Sequence, residues 1–356
     1  GILPNRYVFL SLIKLSASSM NLEYGSFIHK EVRKTGFLED LIVANTLIDM
    51  YVKCMSLDNA RLVFDELICR DSISWSIMIL GYANSGQISL ALQFFIDMQQ
   101  EGMMPNNVTF VCIIKLCTHI DVIRLIHAQV IEGGFDPDTV ITNVLIDIYA
   151  KFEHIVDARH VFDCCINRDI VSWGAMIASY VHHGQGFHSL QLFNTLLQQG
   201  WTPSNVIFSS ILKACATLRD LQEGRWIHSQ ALSCGYKSDL VIGNTLIDMY
   251  AKCCSAHEAK VVFDGLVTRD DVSWGAMFSV HTEEQNGVAC LDLLKKMEKE
   301  GARPNNVVYL SLLKACINLQ DIAIGRDMHT HIVMKGLHAD NVIGCTLIDM
   351  YAKCGY

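Results

Sequence analysis

The chain has little proline, little charge and no long apolar run. Only 5 of its 356 residues are proline, so long segments lack the residue that interrupts helices. Charged residues make up 18% and hydrophobic residues 51%, which provides apolar surface to bury and argues against disorder. No apolar run approaches the roughly 20 residues that a membrane-spanning helix needs. We therefore expect a folded, helix-rich chain with no membrane partner.

Basic residues are scarce too. The 28 Lys and Arg are outnumbered by 37 Asp and Glu, which gives a net charge of −9. A protein that holds nucleic acid over its whole surface would be basic, so any such contact has to be local. A basic groove is compatible with an acidic outer surface, because exposed charges are largely screened beyond roughly 10 Å at physiological salt.

Motifs that carry chemistry are missing. The fourteen cysteines include no Cys-x-x-Cys pair, and the sequence has no phosphate loop and no dinucleotide fingerprint. His29-Lys30-Glu31 matches only half of a zinc deaminase signature, and Ser-x-x-Lys recurs with the repeat described next. We predict no catalytic residue, no metal site and no cofactor. The cysteines occupy two recurring helical places, as small buried hydrophobes in a reducing compartment do: Cys117, Cys215 and Cys316, and Cys54, Cys253 and Cys354.

Internal repetition dominates the sequence. Asn-Thr-Leu-Ile-Asp-Met-Tyr begins at residues 45 and 244, and close variants begin at 143 and 345, so the steps are 98, 101 and 101. Three kinds of unit alternate, with 35, 31 and 35 residues. The predicted units are 6–40, 41–71, 72–106, 107–138, 139–169, 170–204, 205–239, 240–270, 271–305, 306–340 and the partial 341–356. They form triplets over 6–106, 107–204 and 205–305, followed by 306–356, and residues 1–5 look like the tail of an earlier unit.

Apolar spacing within a unit is helical. Leu47, Ile48 and Tyr51 share one face, a second apolar set includes Leu62, and residues 55–58 break the pattern between them. Each unit is thus predicted to be two antiparallel helices. One pair cannot bury its apolar face alone, so stacked units should form one continuous all-α array with a concave and a convex surface.

The alternation of unit lengths, together with Ser-Trp, Val-Phe-Asp and Ile-His elements, resembles the plant pentatricopeptide repeat family over essentially the whole chain. The mixed long, short and standard units are similar to its PLS subfamily. The resemblance implies a right-handed superhelical solenoid that lies along single-stranded RNA of a mitochondrion or chloroplast, with one repeat facing one base. That subfamily mostly directs C-to-U editing, so an editing domain outside this chain and editing cofactor proteins are the expected further partners.

The resemblance also implies which residues select bases, namely the fifth and the last residue of each motif. The short motifs carry a uracil-favouring pair: Asn45 with Asp71, Asn143 with Asp169, and Asn244 with Asp270. Among the standard motifs, Ser76 with Asn106 is similar to an adenine-favouring pair, whereas Gly174 with Ser204 and Gly275 with Asn305 lack a fifth side chain. Long motifs read bases poorly in this family. The resulting RNA register, 5′ to 3′ from residue 6 to residue 340, is n-U-A-n-U-n-n-U-n-n.

Two further sets of residues follow from the resemblance. Branched side chains at the second position are expected to flank the bases: Ile42, Ile73, Val140, Val171, Val241 and Val272. Lysines at the thirteenth position are expected to approach phosphates: Lys53, Lys151, Lys252 and Lys353. Standard motifs have Asn84, His182 and Glu283 at that position, which predicts fewer phosphate contacts and a flatter salt dependence.

Simpler structural roles compete for several of these residues. Asn45 and its equivalents are good helix N-caps, and the lysines suit an ordinary solvated helix surface. Trp75, Trp173 and Trp274 are expected to pack in the core, and His29, His228 and His329 to join neighbouring repeats.

Two other functions stay open at this point. One is a protein-binding helical scaffold, which an acidic concave face and buried fifth-position residues would favour. The other is an organellar RNA role in processing, stability or splicing.

Overall fold

The computed structural model describes residues 4–135 and 138–355, and every regular element within these residues is helical. Within the described ranges, 21 α-helices alternate between first helices, with odd numbers, and second helices, with even numbers. They are α1 Arg6–Ser18, α2 Leu22–Lys34, α3 Leu41–Lys53, α4 Leu57–Glu66, α5 Ser72–Asn84, α6 Ile88–Gln100, α7 Asn107–Leu116, α8 Ile120–Glu132, α9 Thr139–Lys151, α10 Ile155–Cys164, α11 Ile170–His182, α12 Gly186–Gln198, α13 Asn205–Leu218, α14 Leu221–Ser233, α15 Leu240–Lys252, α16 Ala256–Gly265, α17 Asp271–Glu283, α18 Gly287–Lys299, α19 Asn306–Leu319, α20 Ile322–Met334 and α21 Asn341–Lys353. Short 3-10 turns span Phe37–Glu39, Tyr236–Ser238 and Leu337–Ala339.

The chain divides into two compact units, the first ending at Ser172 and the second beginning at Trp173. In the first unit, α1 packs on α3, α3 on α5, α5 on α7 and α7 on α9. In the second unit, α13, α15, α17, α19 and α21 pack in the same way. Most second helices contact both the first helix of their own hairpin and the first helix that follows. The predicted all-α repeat fold is confirmed, while the triplet boundaries and the superhelical hand stay predictions.

Short polar contacts set the helix boundaries in each repeat. Asp40 caps α3, because its carboxylate accepts hydrogen bonds from the backbone N–H groups of Ile42 and Val43. After α4, Arg70 donates from Nε to the Phe64 carbonyl at 3.2 Å and places its guanidinium over the Phe64 ring. Arg168 and Arg269 make the same two contacts after α10 and α16. These contacts fix the loop that leads into each standard motif.

Histidine and tyrosine join each long motif to the short motif that follows. His29 Nδ1 lies 2.9 Å from the Tyr51 hydroxyl oxygen, and three further pairs have the same geometry: His127 with Tyr149, His228 with Tyr250, and His329 with Tyr351. The structural role predicted for His29, His228 and His329 is confirmed. Burial lowers the pKa of the imidazoles of His29, His127 and His228. His127 escaped the sequence analysis although it stands one repeat step from its equivalents.

The tryptophans and part of the cysteine set form the core, as predicted. Trp75, Trp173 and Trp274 are buried, and the Trp75 ring centroid lies 4.8 Å from that of Phe64. Cys117, Cys215 and Cys316 are buried free thiols, and burial raises the pKa of Cys215 to about 12 and that of the other two to about 11. Such thiols stay protonated at neutral pH and react slowly. The second set differs from the prediction, because Cys54, Cys253 and Cys354 are only half-buried at helix ends.

Close approach of helices requires glycine at particular joints. A Cβ atom added at Gly287 would lie 2.6 Å from Leu319 Cγ and 2.9 Å from the backbone oxygen of Ala315. Leu319 belongs to the last turn of α19. In the first unit the shortened long motif ends α7 at Leu116 and lacks this turn, and Ile88 takes the place equivalent to Gly287. Loss of one helical turn thus coincides with a larger side chain at the facing position.

We predict that Gly287→Ala lowers the free energy of unfolding by about 1–3 kcal/mol, because the added methyl group overlaps backbone that cannot move alone. Gly344 is the matched control. It lies inside α21, and a Cβ there meets no atom within 4 Å. Gly344→Ala should leave stability unchanged or raise it by up to about 1 kcal/mol. Urea unfolding followed by circular dichroism measures both values, and equal effects of the two substitutions would contradict the packing account.

Candidate nucleic-acid interface

Fifth and last residues of a short motif meet because neighbouring first helices pack side by side. Asn45 lies inside α3, one turn from its start, and Asp71 immediately precedes α5. Asn45 Nδ2 donates to Asp71 Oδ1 at 3.1 Å. The corresponding distances are 3.4 Å from Asn143 to Asp169 and 3.1 Å from Asn244 to Asp270. Each predicted pair is therefore brought together.

The capping alternative for the asparagines is wrong. Asp40 caps α3, and Asn45 is the fifth residue of that helix. Capping belongs instead to the last residue of each motif. The Asp71 carboxylate accepts a hydrogen bond from the Ser74 N–H at 2.8 Å. The Ser74 hydroxyl oxygen in turn accepts from the backbone N–H of Asp71, which completes a capping box. Other residues predicted to select bases also act as N-caps: Asn106 for α7, Ser204 for α13, Asp270 for α17 and Asn305 for α19, while Asp169 accepts from the Ser172 N–H at the start of α11.

The aspartates at the last position of the three complete short motifs are ionised at neutral pH. Burial alone would raise the pKa of Asp71, but hydrogen bonds from the backbone and hydroxyl of Ser74 and from Asn45 outweigh it, so the pKa lies below its usual range. The same causes lower the pKa of Asp169 and Asp270. An ionised carboxylate only accepts hydrogen bonds, so each asparagine must turn its Nδ2 group toward it. The aspartate thereby fixes the orientation of the asparagine amide, with its Nδ2 group facing the carboxylate.

The standard motifs differ among themselves. Ser76 Oγ accepts from Asn106 Nδ2 at 2.9 Å and lies 2.7 Å from the Thr109 hydroxyl oxygen. At Gly174 and Gly275 no side chain is present, and an added Cβ would meet an aliphatic carbon of Ile207 or Val307 at 3.4 Å. Only the first standard motif therefore presents a polar fifth side chain.

Second-position side chains are exposed and apolar in every repeat. Their exposed fractions run from 48% to 74%, although they stand at the start of otherwise well-packed helices. The six expected to flank bases, Ile42, Ile73, Val140, Val171, Val241 and Val272, all belong to this set. Five more were missed by the sequence analysis, four in long motifs and one in the truncated short motif: Tyr7, Val108, Val206, Val307 and Val342. A repeated exposed aliphatic at one place indicates a surface that contacts something flat and apolar.

Three of the four lysines predicted to approach phosphates form ion pairs with a carboxylate on the same helix. Lys53 Nζ lies 2.7 Å from Asp49 Oδ2, and the pairs Lys252 with Asp248 and Lys353 with Asp349 are equivalent. Lys151 is exposed. Ion pairs this exposed contribute only about 0.2–1 kcal/mol, so a phosphate can replace the carboxylate. The aspartates offset the local positive charge, a feature that the recurring Ile-Asp-Met-Tyr segment already contains and that the sequence analysis overlooked.

A cavity of about 490 Å³ opens between α5 and α7 in the first unit. Its lining includes the exposed second-position residues Val108 and Val140, together with Val111 and Lys115. Leu116, the last residue of the shortened α7, also lines it. The cavity therefore continues the second-position surface at the motif that lacks three residues.

Neither a metal-ligand cluster nor a membrane-spanning helix occurs among the residues that the structure describes. No group of three His, Cys, Asp or Glu side chains in 4–135 and 138–355 is arranged to hold a metal ion. Within the same residues, no helix combines the length and apolar character needed to cross a membrane.

Comparison with known proteins identifies the class. A family model described as "PPR repeat" matches residues 42–72, 171–201, 244–270 and 272–301, and a second model described as "PPR repeat family" matches residues 70–119. A chloroplastic pentatricopeptide repeat-containing protein of Arabidopsis thaliana is 34% identical over 99% of this chain and 57% of its own length. A mitochondrial one is 32% identical over 100% of this chain and 40% of its own length. The chain thus spans about half the length of these relatives.

Solved structures agree on the fold. The pentatricopeptide repeat protein PPR10 from maize matches with a TM-score of 0.58 at 17% identity, over 99% of this chain and 57% of that one. PPR10 in complex with an 18-nt psaJ RNA element matches with a TM-score of 0.60 at 15% identity, over 100% of this chain and 62% of that one. The family matches, the relatives and the helical hairpins agree. The chain belongs to the pentatricopeptide repeat family.

We predict that the aspartates of the short motifs make stability depend on pH. Their folded pKa lies below the unfolded value near 3.9, so the unfolded chain binds more protons as pH falls and the free energy of unfolding decreases. A variant with Asp71, Asp169 and Asp270 changed to Asn should be less stable at pH 6 and should lose less on going to pH 3.5. Urea midpoints at several pH values measure this, and parallel curves for the two proteins would contradict the assigned pKa directions.

Proposed function

We propose that this chain binds single-stranded RNA of a mitochondrion or chloroplast, reading it one base per repeat along the first helices. The observation that carries the proposal is the threefold pair of an asparagine amide held by an ionised aspartate. Each amide keeps one free hydrogen and at least one free lone pair. Donor and acceptor side by side suit the Watson–Crick edge of an unpaired base.

The exposed second-position residues supply the other half of a base site. They stand on consecutive first helices at the same place, so a base lying beside a fifth-position residue has an aliphatic side chain on either side, as with Ile42 and Ile73 around the Asn45 site. Apolar contact with a base face tolerates any sequence and contributes affinity. Selection is left to the fifth and last residues. The register proposed for the ten repeats from residue 6 to residue 340 is n-U-A-n-U-n-n-U-n-n.

Phosphate contacts are proposed for Lys53, Lys151, Lys252 and Lys353. Three of them must release a carboxylate four residues away to bind phosphate. The gain per contact is then smaller than for a free lysine, and the salt dependence of binding should be shallow.

We further propose that the chain is of the PLS subfamily and directs C-to-U editing, with the chemistry supplied by an editing domain or an editing cofactor protein. The alternation of 35, 31 and 35 residues supports this assignment. Relatives named chloroplastic or mitochondrial support the compartment. RNA processing, stability or splicing requires the same sequence-reading surface, so these roles share the binding mechanism.

A protein-binding scaffold is the second candidate, and two observations favour it. Asn45 and Ser76 are only 7% and 6% exposed, and the net charge of the chain is −9. A partner recognised through the exposed second-position aliphatics would not need the asparagines. The two functions therefore differ in whether a change at a fifth-position asparagine alters binding.

We predict that the chain prefers an RNA carrying n-U-A-n-U-n-n-U-n-n over the same RNA with its three uracils replaced by guanine. Asn143→Ala should reduce that preference about five- to tenfold, because one or two hydrogen bonds to the base are lost. Fluorescence anisotropy at fixed low salt measures the affinities. Asn59→Ala is the matched control, since Asn59 is exposed on the second helix α4. Equal binding of both RNAs, or no binding, would overturn the proposal and favour the scaffold.

A further inference from the structure

A hydroxyl from the following repeat contacts the polar fifth-position residue. Ser74 Oγ, at the third position of its motif, lies 2.7 Å from Asn45 Oδ1 and 2.8 Å from Asp71 Oδ1, so its one hydrogen is shared between the two acceptors. Ser273 Oγ is placed in the same way, 2.6 Å from Asn244 Oδ1 and 2.8 Å from Asp270 Oδ1. Thr109 occupies the same position after Ser76, and their hydroxyl oxygens are 2.7 Å apart. The serines are fully buried, so no surface function explains them.

Third and fifth positions vary together along the chain. Each polar fifth residue of a short or standard motif is followed by a hydroxyl: Asn45 by Ser74, Ser76 by Thr109, Asn143 by Ser172, and Asn244 by Ser273. Glycine or aliphatic fifth residues are followed by aliphatic ones: Gly174 by Ile207, Gly275 by Val308, Leu10 by Val43, Val111 by Ile141, and Leu310 by Ile343. Ser209 is the exception, because Ile242 follows it, and its buried hydroxyl has no hydrogen-bond partner. The third residue is therefore matched to the fifth residue of the preceding repeat.

The asparagine pairs are held to different degrees. Asn45 is fixed at both ends, since Nδ2 donates to Asp71 and Oδ1 accepts from Ser74. In the second triplet, the Ser172 hydroxyl contacts only Asp169, at 2.8 Å, and the buried Asn143 Oδ1 has no hydrogen-bond partner. One chain thus contains both a doubly held and a singly held form of the same site.

We propose that the third-position hydroxyl of the following repeat is a positioning residue that sharpens base selection by holding the fifth-position amide in one plane and one orientation. The proposal rests on the RNA-binding function proposed above. Held in this way, the amide offers its carbonyl oxygen to the N3–H of uracil. Cytosine has an acceptor at N3, so an amide that cannot turn meets it acceptor to acceptor. Selection of uracil over cytosine should therefore be stronger at Asn45 and Asn244 than at Asn143.

The test replaces uracil by cytosine at the second, fifth or eighth nucleotide of the RNA, opposite Asn45, Asn143 and Asn244 respectively. Ser74→Ala should reduce the uracil-to-cytosine preference at the second nucleotide about three- to tenfold, the value of one hydrogen bond, and leave the eighth unchanged. Ser172→Ala is the matched control. It removes the same hydroxyl from the same kind of helix cap but no contact to asparagine, so the preference at the fifth nucleotide should not change.

The outcomes separate this role from the function on which it rests. If the unmodified protein shows no base preference at any of the three nucleotides, both proposals are overturned. If its preference is intact and Ser74→Ala weakens uracil and cytosine binding equally, or acts no differently from Ser172→Ala, only the positioning role is overturned. Thermal unfolding of both variants controls for loss of the cap, which should be similar in the two.

Nuclear magnetic resonance of asparagine-labelled protein tests the same contact without RNA. Relaxation of the side-chain amide nitrogen should show a more rigid amide for Asn45 than for Asn143, because only Asn45 has its oxygen held as well, and Ser74→Ala should remove the difference. Equal rigidity of the two amides in the unmodified protein would contradict the holding contact.

Discussion

The side-by-side packing of successive first helices is the contact on which the rest of the structure depends. It places the residue that caps one first helix against the fifth residue of the first helix before it, as with Asp71 and Asn45. One carboxylate then serves two purposes. It completes the backbone hydrogen bonds at a helix start, and it orients the fifth-position amide of the preceding repeat. Base selection, in this account, uses a group that the fold requires anyway.

Sharing a carboxylate in this way couples function to stability. The Asp71 carboxylate receives hydrogen bonds from Ser74 and from Asn45, and these bonds keep it ionised although burial opposes charge. A change at the last residue of a motif therefore alters the helix cap as well as the proposed base site. A change at the fifth residue removes only the bond from the amide and leaves the carboxylate and its bonds from Ser74 in place, so it separates the two roles more cleanly.

Much of the fold follows from the sequence because helical spacing repeats. Apolar periodicity and the breaks between helices predict the hairpins, and periodic recurrence alone predicts that His29 and Trp75 are structural. Which side chain caps a helix depends on where the helix begins, and a shift of five residues separates Asp40 from Asn45. Spacing within one repeat cannot show that Asp40 rather than Asn45 caps α3. It also cannot show that neighbouring residues bury Asn45.

Contacts between neighbouring repeats were harder to predict, because spacing within one repeat does not show which side chains of two repeats meet. The contact of Ser74 with Asn45 joins two repeats, and a repeat-by-repeat comparison treats their positions separately. Pairing of Lys53 with Asp49 was accessible, since residues four apart share a helix face. The five additional second-position residues were accessible as well, once the long motifs and the truncated short motif are aligned with the others.

Photo-crosslinking tests the central claim, one base per repeat along the first helices, most directly. RNA with 4-thiouracil at the second, fifth or eighth nucleotide would be irradiated in complex with the protein, and the crosslinked peptides identified by mass spectrometry. The account predicts crosslinks that move along the chain with the nucleotide, to the starts of α3 and α5, then α9 and α11, then α15 and α17. Crosslinks to second helices, or to the same peptides from all three nucleotides, would contradict it.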